Sequence, residues 1–356
     1  MKLNGLRFLC LLFAYCVSMS ASAAKMDELL PNERNTIDIF QKASSKVIYV
    51  HRIKTVVNGS YELLHIPSGA GSGIIWDKQG HVVTNFHVIN GADNLAVSIG
   101  KYTFPAKVIG AEPRKDIAVL ALTSPKAIEL LQSFSPFAIA HTDELLVGQK
   151  TIAIGNPFGL DHSLTTGVIS ALGRQVPGIG GVTIRDMIQT DASINPGNSG
   201  GPLLDSSGRL IGLNTAIYSQ SGSSAGVGFA VPADEISRIV SQIIKNGRVA
   251  LAGIGVQRVE PNMAARLGVK KGILISDVLP NSPAARAGLR GTYRDRWGRI
   301  HLGDVIVALD GHPVGNYDTL YNLQTKLNIG QEITLTVLRN GKRINYKMKT
   351  IDIAAY

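Results

Sequence analysis

A chain of 356 residues is long enough for about two or three domains with full hydrophobic cores, and its 45% hydrophobic and 17% charged residues exclude a disordered or low-complexity chain. The 36 basic side chains exceed the 26 acidic ones, for a net charge of +10. They are mostly scattered, and the one dense run, "LRGTYRDRWGRIH" with Arg290, Arg294, Arg296 and Arg299, reads as a solvated loop, so no nucleic-acid partner is expected.

At the N-terminus Lys2 and Arg7 precede an apolar run from Phe8 to Val17 and the small-residue stretch "SMSASAAK", the layout of a secretory signal cleaved near Ala24. The apolar core is shorter than the ~20 residues that cross a bilayer, so an uncleaved inner-membrane anchor facing the periplasm is the alternative. Tyr15, before Cys16, does not fit a lipobox. Both cysteines, Cys10 and Cys16, fall inside this leader, and the remainder is expected to hold together by packing without disulfides. From Asn35 to Ala43 the apolar spacing predicts a short amphipathic helix. Strand-like segments follow: "KVIYVHRI", "GSGIIWD", "HVVTNF", "LAVSIG", "AKVIGAE", "DIAVLAL", "KTIAIGN", "TTGVISAL", "IQTDASI" and "LIGLNTAIY". Many short strands without intervening helices predict antiparallel barrels. The helical spacing and glycine stop of "PADEISRIVSQIIKNG", residues 232–247, close that domain. Near residue 250 the pattern restarts with "LAGIGVQRV", "GILISDVLPNSPAARAGL", "LGDVIVALDG", "YDTLYNLQTKL" and "EITLTVLRNGK", a smaller domain of strands with two short helices. The expected division is a leader at 1–24, one domain at 25–248 and a second at 249–350.

"INPGNSGGPLL", residues 194–204, sets Ser199 between glycines that admit unusual backbone conformations and clear side chains away from it. A hydroxyl presented beside free N–H groups suits acyl transfer, where nucleophile and oxyanion donors meet at one carbonyl. Serine is a poor nucleophile until an imidazole takes its proton, and the imidazole works best when a carboxylate fixes its tautomer. Among eight histidines, His87 in "HVVTNFHVI" directly follows a strand pattern, and Asp116 in "RKDIAVLAL" opens an apolar run. Taken singly, these are a glycine turn, a structural histidine and a cap. Together they follow the His, Asp, Ser order of chymotrypsin-like proteases. No His/Cys/Glu grouping has metal-ligand spacing, and no metal or other cofactor is expected.

"TNFHVI", "DIAVL", "AIGNPFGL", "TTGVISAL", "IQTDASINPGNSGGPLL" and "GVGFAVP" resemble the HtrA/Deg family of serine proteases, and "GIGV", "VLPNSPAARAGL" and "GDVIVALDG" resemble that family's PDZ domain. The resemblance spans roughly residues 33–349. It implies a mainly β chain, a chymotrypsin-like double six-stranded β-barrel protease domain followed by a small α+β PDZ domain. It also implies ATP-independent cleavage of misfolded proteins, often with chaperone-like holding. His87 carries over as general base, Asp116 as its orienter and Ser199 as nucleophile. The oxyanion hole maps to Gly197, Asn198 and Ser199, with the N–H groups of Gly197 and Ser199 as donors.

Ser193 stands where trypsin-like enzymes keep an aspartate. The resemblance implies a pocket lined by Ile194, Ile217 and Val227, with Thr215, Ala216, Ile217 and Tyr218 pairing with the substrate as a strand, and so cleavage after Val, Ala, Ile or Leu. Arg174 begins the glycine-rich segment "ALGRQVPGIGGVTIRDMIQTD", read as a regulatory loop, and by resemblance is the sensor that supports the turn at Gly197 and Asn198. In the PDZ domain Leu251, Ala252, Gly253 and Ile254 would receive the terminal carboxylate of a peptide. The short stretch between Arg52 and Ser68 and the single PDZ domain depart from members that build large cages, which favours a homotrimer or a multiple of it. The insertion after "AGL" and "FGLDHSLTTGVIS" are similar to chloroplast-lumen members. The N-terminus lacks the Ser-rich character of a transit peptide, and the periplasm is expected. A non-proteolytic PDZ-bearing chaperone or scaffold is the alternative.

Overall fold

The computed structural model describes residues 28–57, 63–157, 159, 161–178, 181–195, 197–217 and 226–355; the expected leader, both cysteines and Tyr218 lie outside the described residues. Helix α1 (Pro31–Ala43) begins four residues before the predicted start, because proline is tolerated in a first turn and the Glu33 carboxylate accepts the Leu30 N–H at 2.7 Å.

Six strands, β1 (Val47–Val57), β2 (Leu63–Ile75), β3 (His81–Thr84), β4 (Asn94–Ile99), β5 (Tyr102–Glu112) and β6 (Ile117–Leu122), close a barrel in the order β1-β2-β3-β6-β5-β4. Helices α2 (Phe86–Ile89) and α3 (Pro125–Leu131) belong to this half of the chain. A second barrel, β7 (Lys150–Gly155), β8 (Ser163–Pro177), β9 (Thr183–Thr190), β10 (Pro202–Leu204), β11 (Leu210–Ile217) and β12 (Gly228–Pro232), closes as β10-β11-β12-β9-β8-β7.

Side chains alternate across a strand, and here both faces are apolar for separate reasons. In β6, Ala118, Leu120 and Leu122 fill the first barrel, while Ile117 and Val119 pack in a shared core with Ile152, Ile154 and Leu213 of the second. The amphipathic α4 (Ala233–Asn246) adds Ile236, Ile239, Val240 and Ile243 to that shared core and stops at Gly247, which takes φ +73°.

In the second barrel three sequence expectations change. Most of the segment read as a regulatory loop is the β8–β9 hairpin, leaving a short connection closed by Gly178 N–H to the Val182 carbonyl at 2.8 Å. Strand β9 ends at Thr190, and the Asp191 carboxylate turns back to accept the Val168 N–H at 2.7 Å, so "DASI" is not strand. "GFAVP" forms β12, a strand of the second barrel between β11 and β9 that was not among the expected strands.

After α4 the chain forms β13 (Ala252–Gly253), β14 (Val256–Arg258), β15 (Ile273–Val278), β16 (Tyr293–Arg294), β17 (Ile300–His301), β18 (Val305–Leu309), β19 (His312–Pro313), β20 (Glu332–Arg339), β21 (Lys342–Lys349) and β22 (Ile351–Asp352). The main sheet runs β14-β15-β18-β20-β21, and β13 pairs with β22. Among the described residues three helices, α5 (Pro261–Arg266), α6 (Pro283–Arg286) and α7 (Tyr317–Gln324), replace the expected two, since the six-residue α5 buries only Ala264 and shows no apolar period. The arginine-rich run forms the β16–β17 hairpin, with all four arginines exposed and Trp297 at 67% exposure.

The two parts of the chain touch through α7. The Asp318 carboxylate accepts the Thr183 N–H at 2.7 Å and pairs with Arg185 at 2.7 Å. Val182, Leu251 and Tyr321 share a small buried cluster. The Arg114 guanidinium lies over the Tyr321 ring, 4.7 Å from its centroid, and burial pushes the Tyr321 phenol pKa up.

Candidate active site

His87 sits on the single-turn α2, not on strand β3 itself, and buried Val88 and Ile89 anchor that turn in the first barrel. Asp116 follows a 3-10 turn at Pro113–Lys115 and takes the left-handed conformation, φ +57° and ψ +40°, which a short polar side chain tolerates. That twist turns both its carbonyl and its carboxylate toward α2. The carbonyl accepts Phe86 N–H at 3.2 Å and Asn85 Nδ2 at 3.0 Å. One carboxylate oxygen accepts His87 N–H at 2.9 Å, and the other accepts from His87 Nδ1 at 2.7 Å. With Nδ1 donating to a carboxylate, Nε2 is the lone-pair nitrogen of the neutral ring. His87 is 43% exposed in its side chain, against 9% for Asp116, so the imidazole faces the cleft while its carboxylate is shielded.

Ser199 comes from the turn before β10, across the seam between barrels. Its hydroxyl donates to the Thr215 carbonyl at 3.3 Å, and among the described residues no bond joins it to His87. Rotation about one side-chain bond redirects such a hydroxyl, and catalytic hydrogen bonds commonly tighten only when substrate is bound. Thr215 closes the arrangement, because its hydroxyl also donates to the Asp116 carboxylate. The sequence reading placed Thr215 on a substrate-pairing strand and missed this contact, which no local signal announces.

The glycines around Ser199 have steric reasons. Gly197 takes φ +108°, and a Cβ there would overlap Pro157. A Cβ on Gly201 would overlap the Ile154 carbonyl. Asn198 ties the turn together, its Oδ1 accepting Asn195 N–H at 3.0 Å and its Nδ2 donating to the Ser193 carbonyl at 3.0 Å. The Asn198 N–H is itself spent on the Asn195 carbonyl, whereas Gly197 and Ser199 N–H groups have no acceptor among the described residues. Two donors are therefore free beside the hydroxyl.

Of the pocket residues, Ile194 is buried in the core of the second barrel and abuts Gly228, while the neighbouring Val227 packs on the core shared by the barrels. Ala216 and Ile217 lie on β11 opposite Phe229 and Gly228. Arg174 is not brought to the Gly197–Asn198 turn: it lies across from Met187 in the β8–β9 hairpin and donates through Nε to Gln189 at 2.9 Å. Leu251, Ala252, Gly253 and Ile254 are all buried. Leu251 donates its N–H to Asp352 and packs on Val182 and Tyr321, and Ala252 and Gly253 pair with the last strand.

Two antiparallel six-stranded barrels with His, Asp and Ser gathered at their seam define a trypsin-like serine peptidase. A trypsin-like peptidase domain model matches residues 71–213, and a PDZ domain model matches residues 251–350. The chain is 47% identical over 319 residues to Protease Do-like 1, chloroplastic, of Arabidopsis thaliana, covering 89% of this chain and 71% of that protein. It is 38% identical over 285 residues to the periplasmic serine endoprotease DegP of Escherichia coli K12, covering 78% of this chain and 56% of that one. The solved structure of the HtrA-type protease AlgW with a decapeptide superposes with a TM-score of 0.64 at 32% identity, over 89% of this chain and 98% of that one. The chain belongs to the HtrA/Deg family of serine endoproteases.

Proposed function

We propose that His87, Asp116 and Ser199 hydrolyse peptide bonds of unfolded or misfolded polypeptides in the cell envelope. The observation that carries this is the His87–Asp116 pair on one barrel facing a hydroxyl and two free N–H groups on the other. His87 Nε2 takes the Ser199 proton as Oγ attacks the carbonyl. The N–H groups of Gly197 and Ser199 receive the oxyanion, with Asn198 holding their turn. Asp116 stabilises the imidazolium, which then protonates the leaving amine, and a water molecule repeats the sequence on the acyl-enzyme.

The named relatives include periplasmic proteases, which supports export, although chloroplast proteins stand beside them. With Ser193 offering no charge for a basic side chain, a pocket of Ile194, Ile217 and Val227 favours Val, Ala, Ile or Leu before the cut, with Thr215, Ala216, Ile217 and Tyr218 as the substrate strand. By resemblance to the family, Arg174 supports the Gly197–Asn198 turn once it leaves Gln189 and the β8–β9 connection reorders, and Leu251, Ala252, Gly253 and Ile254 form the PDZ carboxylate loop. A homotrimer, with holding of clients beside cleavage, completes the reading.

The deciding experiment is labelling by a fluorophosphonate probe together with casein turnover. Wild type should label and cleave, while Ser199→Ala should do neither, a loss of several orders of magnitude. Casein cleavage by that variant at the wild-type rate would overturn Ser199 as the nucleophile, whereas a wild type that neither labels nor cleaves would leave the non-proteolytic scaffold reading.

A further inference from the structure

We propose that Ser72, a residue of β2 in the first barrel, is a positioning residue for the oxyanion turn of the second. The proposal rests on the reading of Ser199 as nucleophile. Ser72 is fully buried at the seam. Its hydroxyl donates to the Gly197 carbonyl at 2.5 Å and accepts the Asn156 N–H at 2.8 Å. Its own N–H donates to the Ser199 carbonyl at 2.9 Å, and its carbonyl accepts the Thr84 hydroxyl at 2.7 Å. The direction of the hydroxyl is forced. Asn156 offers only an N–H, so the single proton of Ser72 must go to the Gly197 carbonyl.

One residue thus holds the carbonyls on both sides of Asn198. Gly197 needs this because a glycine at φ +108° has no side chain to restrict its rotation. Its N–H, one of the two free donors, keeps its direction only while the rest of the residue is anchored. Holding the carbonyl removes rotation about ψ, and Pro157 packed against Gly197 restricts the rotation about φ that remains. The Ser199 end is gripped as closely: a Cβ on Gly200 would overlap the Ser72 carbonyl, and one on Gly71 would lie 3.2 Å from the Ser199 carbonyl.

Barrel closure does not need the hydroxyl, since the β1–β2 ladder around Ser72 is made by backbone groups. A buried hydroxyl is costly unless satisfied, and this one is satisfied by the oxyanion turn and by the residue that starts "NPFGL". Ser72 therefore couples the first barrel to the donors of the second without touching substrate.

The test is Ser72→Ala, which removes the hydroxyl and leaves the backbone grip on Ser199. Because one oxyanion donor is worth about 100-fold or more in turnover, partial loss of its direction should lower kcat about 10-fold while KM stays within about 2-fold. Fluorophosphonate labelling should slow in parallel. Ser72→Cys, similar in shape with a weaker donor and acceptor, should fall between the two. Leu131→Ala, a core truncation in α3, serves as the stability control and should lower the melting temperature with kcat unchanged per titrated active site. A lowered melting temperature with wild-type kcat in Ser72→Ala would make the hydroxyl merely structural and overturn the proposal. If that variant does not fold, wild-type kcat in Ser72→Cys overturns it equally. A wild type inert to the probe would instead remove the Ser199 reading, and this proposal with it.

Discussion

Thr215 uses both of its oxygens at the site, the hydroxyl on the Asp116 carboxylate and the carbonyl on the Ser199 hydroxyl. A hydrogen bond to an ionised partner contributes about 1.5–3 kcal/mol, and here it stabilises the charge that in turn supports the imidazolium. Thr215→Val keeps the volume and the carbonyl but removes the hydroxyl. We expect kcat on a peptide substrate to fall about 10-fold or more with little change in KM, an unchanged kcat meaning that Asp116 is held adequately by His87 alone. The triad types were legible because the reaction dictates them and their order is that of a known constellation. Thr215 and Ser72 were not, since each gains its role from a partner about a hundred residues away in sequence that only the closed barrels bring near.

Glycine misled the reading of one element and helped with another. In "ALGRQVPGIGGVTIRDMIQTD" it signalled a loop, but Gly173, at φ +68°, accompanies irregular register within the β8–β9 ladder, where a bulge accommodates it. At Gly247 the same signal correctly marked the end of α4. The other end of α4 carries a pH-dependent tie. Glu235 pairs with Lys115 at 3.1 Å and with Arg238 at 2.8 Å, linking this helix to the turn that presents Asp116. Burial is the largest influence on Glu235 and opposes ionisation, yet the Arg238 hydrogen bond and the Lys115 charge hold its pKa below the usual carboxylate range. A lowered folded-state pKa contributes stability above the unfolded value of about 4.3 and loses it as pH falls through the folded value. Glu235→Gln should therefore melt earlier than wild type at neutral pH, by ~1 kcal/mol or less, and the gap should close in acid. A gap that stayed constant as the pH fell to the limit of the folded state would assign the loss to packing.

Across the whole molecule, Asp318 is the hinge pin between the barrels and the smaller domain, accepting from Thr183 and Arg185 together. Asp318→Ala should leave each domain's melting transition in place but raise the radius of gyration in small-angle scattering and speed proteolysis near Arg248. Identical scattering profiles would mean that the Val182, Leu251 and Tyr321 cluster suffices to hold the two parts. Within the smaller domain, fully buried Asp304 is paired with Arg339 at 2.6 and 2.7 Å and caps the Arg290 N–H at 2.9 Å. Asp304→Ala removes these charge-assisted bonds, worth about 1.5–3 kcal/mol, and leaves the partly exposed Arg339 able to turn to solvent, so it should lower the PDZ transition in calorimetry while the barrel transition is unchanged. The exposed hairpin supplies an optical means of following such experiments. The chain has two tryptophans: Trp76 is half-buried against the core shared by the barrels, and Trp297 stands in solvent with the Arg296 guanidinium 4.0 Å from its ring. Iodide, drawn in by the four arginines, should quench the red-shifted Trp297 emission more strongly than caesium does, leaving a bluer signal from Trp76. Each domain then carries its own colour, so a single urea titration read with and without iodide would show whether the two unfold together or in sequence.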